Sequence, residues 1–353
     1  MQSTNRPHLS KRQPRLIGGI RQDKSTWDPE GGWWTLQGMH GNDTDALTRW
    51  SGSQLWMPTQ LPGRILGMFQ ATLGNNQHFF FMSNGSLYRT AADGSGIQTL
   101  VTGDGTSVYD AKAFGNMFFF TNGIQNNRKI LSDLRVQNIG IAAPASAPVP
   151  SAGAAGTKTG TYFYVLTYKN STSGAESNQS IPSASLTVTA QNIILNSFPA
   201  PTDSQVDTFV LYRTTANGGV YLKVAELALS TTTYTDSVAD TALGIRASIY
   251  RDVPPTCEYL EVYNGMMFYA GFARPFHNRV MPSEVLLPEA VSQFNVYDLD
   301  PDDNDEVTGM KNFGQSIAVY KNNALFLGSG DSPDSLTFVK TRVKEGSLGH
   351  FGI

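Results

Sequence analysis

A single cysteine, Cys257, stands in a chain of 353 residues. No disulfide can form within the chain, which fits assembly in a reducing cytoplasm and leaves the thiol a buried structural role. No apolar run approaches the roughly 18 residues that a membrane span requires, and residues 1–21 are polar and basic where a signal peptide carries its apolar stretch. Neither a membrane span nor signal-directed secretion is expected. Charge of one sign is also missing: the formal net charge is -3 and the isoelectric point is about 6.0, so there is no basic field to drive non-specific nucleic-acid binding.

Catalytic and metal motifs are equally scarce. The five histidines, His8, His40, His78, His277 and His350, show no metal-ligand spacing. Gly94-Ser95-Gly96 and Gly328-Ser329-Gly330 are too short for a nucleophile elbow, and Gly103-Asp104-Gly105 lacks the helix and lysine of a phosphate-binding loop. The expectation is a protein without catalytic residues, cofactor or metal. Helix-forming periodic stretches are few, whereas 34 glycines and 18 prolines accompany abundant Thr, Ser and Asn, so the chain reads as mostly β.

What is present is a repeat. Phe79-Phe80-Phe81-Met82 leads through Asn84-Gly85 into Ser86-Leu87-Tyr88-Arg89-Thr90, and Asn-Gly between apolar runs predicts a type I′ hairpin. Phe118-Phe119-Phe120 with Asn122-Gly123 and Arg128 to Ser132 repeats the unit 39 positions on. A third copy is Gly265 to Ala270 with Asn278 to Ser283 as its return; a fourth is Gln315 to Tyr320 with Ala324 to Ser329. The third and fourth copies fall within Tyr263 to Gly328, the clearest pair. If Ala145 to Ile249 is an insertion, the offsets become 39, 44 and 50, the period of β-propeller blades; unrelated hairpins in a sandwich are the alternative. The fold expected is all-β, with propeller-like blades interrupted by a fibronectin type III-like sandwich. Residues 1–60 form an extended arm and Trp-rich segment, 61–144 the first blades, 145–250 the insertion and 251–353 further blades.

The insertion opens on a proline-bearing, small-residue linker between Ala142 and Gly160. Tyr162 to Tyr168, Leu186 to Thr189 and a hairpin from Phe209 to Val224 around Asn217-Gly218-Gly219 then predict about seven short strands. Two segments are candidates for contact between molecules. The basic arm carries Arg12 and Arg15, and all five tryptophans lie between Trp27 and Trp56, with Trp33 and Trp34 adjacent. Core packing, a subunit interface and stacking on sugars each account for such a concentration. The acidic loop from Asp298 to Glu306 offers Asp300, Asp302, Asp303 and Asp305. It fails an EF-hand register, with Asp303 where glycine is needed and Gly309 where glutamate is needed, so it is assigned to solvent or to docking a basic arm.

Several of these motifs carry a resemblance. Ile141-Ala142-Ala143-Pro144, Gly160 to Tyr168, Glu176-Ser177-Asn178, Leu211 to Thr214 and Thr233 to Asp236 resemble the fibronectin-like insertion of short-tailed phage tail nozzle proteins, also called tail tubular protein B or phage stabilisation proteins. Asn264 to Gly271, Pro282-Ser283-Glu284, Phe294 and Val307 to Met310 resemble the flanking blades, and Gly18-Gly19-Ile20 the family's start. The resemblance implies a virion structural protein assembled in the host cytoplasm. It implies a homo-hexameric ring beneath a tail adaptor ring, attached to tail fibres or spikes, around a channel passing genomic DNA without sequence-specific binding. Members of that family are longer, which implies either that blades continue beyond this chain or that the propeller is reduced. The alternative from another class is a carbohydrate-binding or carbohydrate-active propeller, with Glu258, Glu261, Glu284 and Glu289 as candidate carboxylates.

Overall fold

The computed structural model describes residues 57, 59–343 and 345–347, together with two short strands, β1 (Met39–Gly41) and β2 (Leu47–Arg49). The chain divides into two compact units, Met1–Pro58 and Thr59–Ile353. In the first, β1 and β2 pair antiparallel. The second is all-β: among its described residues the only helical segments are two 3-10 turns, Asp240–Ala242 and Pro333–Ser335.

Four small antiparallel meanders form the blades. The first is β3 (Ile65–Leu73), β4 (Asn76–Ser83), β5 (Ser86–Ala91) and β6 (Gln98–Val101); the second is β7 (Asp110–Phe114), β8 (Met117–Thr121), β9 (Arg128–Ile130) and β10 (Val136–Asn138). The inserted sandwich follows, with strands β11 (Val149–Tyr162), β12 (Tyr164–Lys169), β13 (Leu186–Asn196), β14 (Thr208–Arg213), β15 (Leu222–Ala228) and β16 (Thr233–Asp236). The third blade holds β17 (Cys257–Tyr263), β18 (Met266–Phe272), β19 (Arg279–Glu284), β20 (Leu287–Val291) and the short β21 (Tyr297–Asp298). The fourth is β22 (Val307–Asn312), β23 (Ile317–Lys321), β24 (Leu325–Ser329) and β25 (Thr337–Lys340). Each of the four sequence copies supplies the second and third strands of one blade, β4/β5, β8/β9, β18/β19 and β23/β24.

The apolar runs are continuous because a blade is covered on both faces. Side chains alternate across a strand, so Phe118 and Phe120 enter the core shared with the first blade while Phe119 enters the core shared with the third. Met266, Phe268 and Ala270 likewise face the fourth blade, and Met267 and Tyr269 face the second. Phe80 stacks on Phe118 with ring centroids 4.1 Å apart, an offset-stacked pairing that adds to the area buried. Polar groups fix the register between blades: Asp110 Oδ2 accepts the Leu260 N–H at 2.7 Å, and Lys112 Nζ pairs with Glu261 at 2.8 Å.

Two tight turns behave as the Asn-Gly signal predicts. Asn84 and Gly85 have φ of 50° and 69°, and Asn264 and Gly265 have 47° and 72°, the positive pair that a type I′ turn needs. Asn122-Gly123 is different. Asn122 Oδ1 accepts the Ile124 and Gln125 N–H groups, and the Gly123 N–H donates to the Cys257 carbonyl at 2.9 Å. A longer connection therefore spans β8 and β9, and it joins the second blade to the start of the third.

The insertion folds as two packed three-stranded sheets, β11-β13-β16 and β12-β14-β15, with Tyr164, Leu166, Ile193, Leu195, Phe209 and Leu211 buried between them. Three expectations are corrected in detail. Much of the expected linker is β11, whose small residues follow β13 through three register shifts; backbone pairing overrides its weak strand propensity. The run Tyr162 to Tyr168 crosses from one sheet to the other at Phe163. Finally, there are six strands, and the edge of β12 is completed by an irregular segment. Ser177, Ser180 and Ser183 donate their N–H groups to Tyr168, Leu166 and Tyr164, whose own N–H groups donate to the same serines' Oγ atoms. A three-residue serine spacing thus satisfies a strand edge that would otherwise stay unpaired.

Two measurements check this packing. Burial pushes the Cys257 thiol up to about 12, so at pH 8 a thiol reagent leaves the native protein unlabelled and titrates one thiol per chain after unfolding. Phe119→Ala empties a site shared by two blades and is expected to cost about 3–5 kcal/mol in denaturant unfolding. Native labelling of Cys257, or a loss below about 1 kcal/mol, contradicts the stacking described.

Candidate functional site

The site with the densest long-range chemistry lies where the sandwich meets the second and third blades. Glu176-Ser177-Asn178, at the sandwich edge, is held from both sides. Glu176 Oε1 accepts the Tyr212 and Thr167 hydroxyls, each at 2.6 Å, and Glu176 Oε2 contacts the Arg251 guanidinium. Asn178 accepts the Arg251 N–H at 2.8 Å and donates to Asp252 Oδ1 at 2.6 Å. Asp252 in turn bridges to Val291 of β20, its N–H donating to the Val291 carbonyl at 2.8 Å. This short motif therefore fastens the returning chain to both the sandwich and the third blade.

Beside it sits a buried ion pair. Lys129 of β9 and Glu289 of β20 are in contact through Nζ and Oε2, and both side chains are sealed from solvent. Gln205 Oε1 also accepts from Lys129 Nζ, at 2.9 Å, and Gln205 Nε2 donates to the Gly140 carbonyl at 2.9 Å. The Gly140 N–H donates to Glu289 Oε2 at 2.9 Å. Gly140 has φ of 76°, and a Cβ there would lie 2.9 Å from Pro254 Cδ, so the chain closes on itself at this point only without a side chain. Burial pulls the Lys129 ammonium below its ordinary range, and the neighbouring Glu289 carboxylate opposes that shift. A buried pair of this kind contributes little net stability, but removing one partner strands the other charge.

A cavity of about 200 Å³ opens over this pair, walled by Phe114 and Met117 of the second blade, Ala175 and Glu176 of the sandwich, and Leu287 and Glu289 of the third blade. From the sequence alone, Glu289 is only a candidate glycosidase carboxylate and Glu176 only part of the resemblance. No local signal ties Lys129 to Glu289, because they are 160 positions apart.

The contact candidates named from sequence fall as follows. Arg12, Arg15, Trp27, Trp33 and Trp34 lie outside the described residues. The acidic loop is engaged within its own chain: Asp300 pairs with Lys340 at 2.5 Å and Asp303 with the fully buried Lys321 at 2.6 Å. Asp305 accepts from Asn322 N–H, Asn322 Nδ2 and Asn323 N–H, and Asp302 is exposed. Of the four glutamates considered for sugar chemistry, Glu261 and Glu289 are tied in ion pairs to Lys112 and Lys129. Glu258 lines a separate cavity of about 60 Å³ with His277 and Glu306. Burial and nearby Asp334 raise the Glu284 carboxyl.

The acidic loop generates a pH dependence. The Arg279 guanidinium, hydrogen-bonded to Asp298 at 2.7 and 2.8 Å, holds that carboxyl below its ordinary value. For Asp305, burial acts upward, but the hydrogen bonds from Asn322 and Asn323 outweigh it. Carboxyls depressed on folding stabilise the fold above their unfolded value of about 3.9, and that stability is lost as pH falls through the folded values. Stability measured by denaturant between pH 5 and pH 2.5 should fall on acidification, and Asp298→Asn should flatten the acid limb. An unchanged limb in that variant excludes the pair as a contributor.

No protein-family profile matches the chain, and no curated protein does. Among solved structures, it is similar to a chain from a crystal structure of the mitotic checkpoint complex, with 12% identity and a TM-score of 0.24 over 85% of this chain and 91% of that one. It is similar to the computationally designed Ika8 protein, with 10% identity and a TM-score of 0.25 over 82% and 78%. The AfRom2 CNH domain aligns with 6% identity and a TM-score of 0.23 over 78% and 72%. Scores this low carry no argument about function.

Proposed function

We propose that this chain is a structural subunit of a short-tailed phage tail, one copy of an oligomeric nozzle or tail-tip ring around the genome-ejection channel. The observation that carries the reading is an open stack of blades. The first strands of successive blades pack in order, β3 on β7, β7 on β17 and β17 on β22, whereas among the described residues β22 and β3 share no packing of that extent. Every internal blade face is covered by a large apolar core. On the fourth blade, the face turned away from its core carries Ala318, Leu327 and Val339 in register across β23, β24 and β25; Ala318 is buried, whereas Leu327 is 38% exposed. Val339 is 65% exposed.

The apolar pair Leu327 and Val339, left in water on the fourth blade, is covered by a neighbouring subunit. Contacts of that head-to-tail kind make rings when the rotation closes. The sandwich, fastened by Glu176, Asn178 and Arg251 instead of hanging on a free linker, then projects as a fixed element to which fibres or spikes attach.

Native mass spectrometry and negative-stain images of the full chain at micromolar concentration should show a ring with a central hole. Val339→Asp should disassemble it while leaving the circular dichroism unchanged, since the side chain touches no core. A strictly monomeric protein, with no tail component that assembles it, would falsify the reading.

A further inference from the structure

The junction places an amine, an amide and a carboxylate in mutual contact where water is excluded. Lys129 Nζ donates to Gln205 Oε1 at 2.9 Å and touches Glu289 Oε2, with Ser173 Oγ 3.4 Å away. Lys129, Gln205 and Glu289 are all buried. The Gln205 amide nitrogen is held in turn by the Gly140 carbonyl at 2.9 Å and by Asp203 Oδ2 at 2.8 Å. An amine fixed against an amide carbonyl, with one carboxylate at the attacking nitrogen and another at the leaving nitrogen, is the arrangement that transamidation needs.

The surroundings favour that reaction over its competitors. Burial pulls the Lys129 ammonium below its ordinary range, against the opposing pull of Glu289, and a desolvated lysine gives up its proton more readily to become a nucleophile. Glu289 is itself the poorer electrophile, because attack on a carboxylate meets a negative charge, and its Oε2 is also bound to the Gly140 N–H. Sealing the site removes water as a rival nucleophile.

We propose that Lys129 and Gln205 join through an isopeptide bond, formed by the chain itself, that ties β9 of the second blade to the sandwich. Glu289 Oε2 takes one proton from the Lys129 ammonium. The Nζ lone pair forms a bond to Gln205 Cδ, and the C=O π pair moves onto Oε1. A second Nζ proton passes to Nε2 within this tetrahedral intermediate, while the Asp203 carboxylate stabilises the positive charge gathering on Nε2. The oxygen pair then re-forms the carbonyl, the Cδ–Nε2 bond breaks, and ammonia leaves into a cavity of about 220 Å³ that Asp203 and Gly140 border. It takes up the proton held by Glu289, departs as ammonium and restores the carboxylate. No oxidant or co-reactant is consumed. The bond links residues 76 positions apart, and it does not depend on how the protein assembles.

Mass spectrometry of the full chain tests it. The unfolded chain should weigh one ammonia less than its sequence. An Asn-Gly turn also loses ammonia when it forms a succinimide, so the deciding readout is a tryptic digest. It should yield one branched peptide joining residues 129–135 to residues 170–213, uncleaved after Lys129. Glu289→Gln removes the proton acceptor and should abolish the branch. Because that variant also strands the Lys129 charge, Asp203→Asn provides the second arm. It leaves the Lys129 and Glu289 pair intact, should keep the circular dichroism of the unaltered chain, and should slow linkage in freshly translated protein on the order of 100-fold. Separate peptides from the unaltered protein, a branch at Glu289 with loss of water, or linkage at the unaltered rate in Asp203→Asn each overturns the proposal.

Discussion

A four-stranded blade has two faces and too little thickness to dry either by itself, and the rest of this fold follows from that constraint. Along a strand, alternate side chains serve alternate neighbours, so a middle strand such as Met117–Thr121 is apolar at four successive positions, Met117 to Phe120. Phe118 and Phe120 look one way and Phe119 the other. A surface strand of the same length would alternate with polar residues; uninterrupted apolar runs of four or five residues therefore mark blades with a neighbour on each side. Such a stack stops being self-sufficient at its ends, where a face has no successor. On the fourth blade Leu327 and Val339, paired in register across β24 and β25, are exposed.

Inserting a sandwich into such a stack raises a mechanical problem. Between β10 and β17 the chain must leave, fold a separate core and return without prising the second and third blades apart. Long linkers would allow this but would leave the insertion swinging freely. Here the exit and return are bound to each other and to both blades: Gly140 hydrogen-bonds to Glu289 and Gln205, and Arg251 and Asp252 are held by Glu176 and Asn178. Asn170 adds a contact to Gln137 of β10 at 2.9 Å. The polar network sits where blade packing is interrupted, and the shared core of the second and third blades resumes just past it, at Ile139 and Cys257.

How far this was legible in the sequence follows from the range of each interaction. The blades were legible because their signals are local: an unbroken apolar run and, in the first two copies, an Asn-Gly pair lie within a dozen residues, and all four copies proved to be the second and third strands of a blade. The outer strands β6, β10 and β25 are short and half-exposed, with composition no different from a loop, and their pairing depends on a template strand already in place. The strand β11 was hidden for a related reason: its Ala, Gly and Ser residues carry no strand propensity, and only β13 makes it a strand. The spacing of Ser177, Ser180 and Ser183 was visible, but nothing in it says that three hydroxyls will complete a sheet edge.

The junction was the least legible part, and the reason is electrostatic. Buried charges are tolerated only when paired, so a sealed lysine implies a partner, but sealing is itself a product of the fold. Lys129 sits in an ordinary Arg-Lys-Ile strand, and Glu289 in Leu-Pro-Glu-Ala-Val; neither context marks the residue as buried. Once the blades bring β9 and β20 together, Oε2 of Glu289 receives the Lys129 ammonium and the Gly140 N–H, and the carboxylate is closed into the junction with them. The same residue thereby anchors the insertion to the second and third blades.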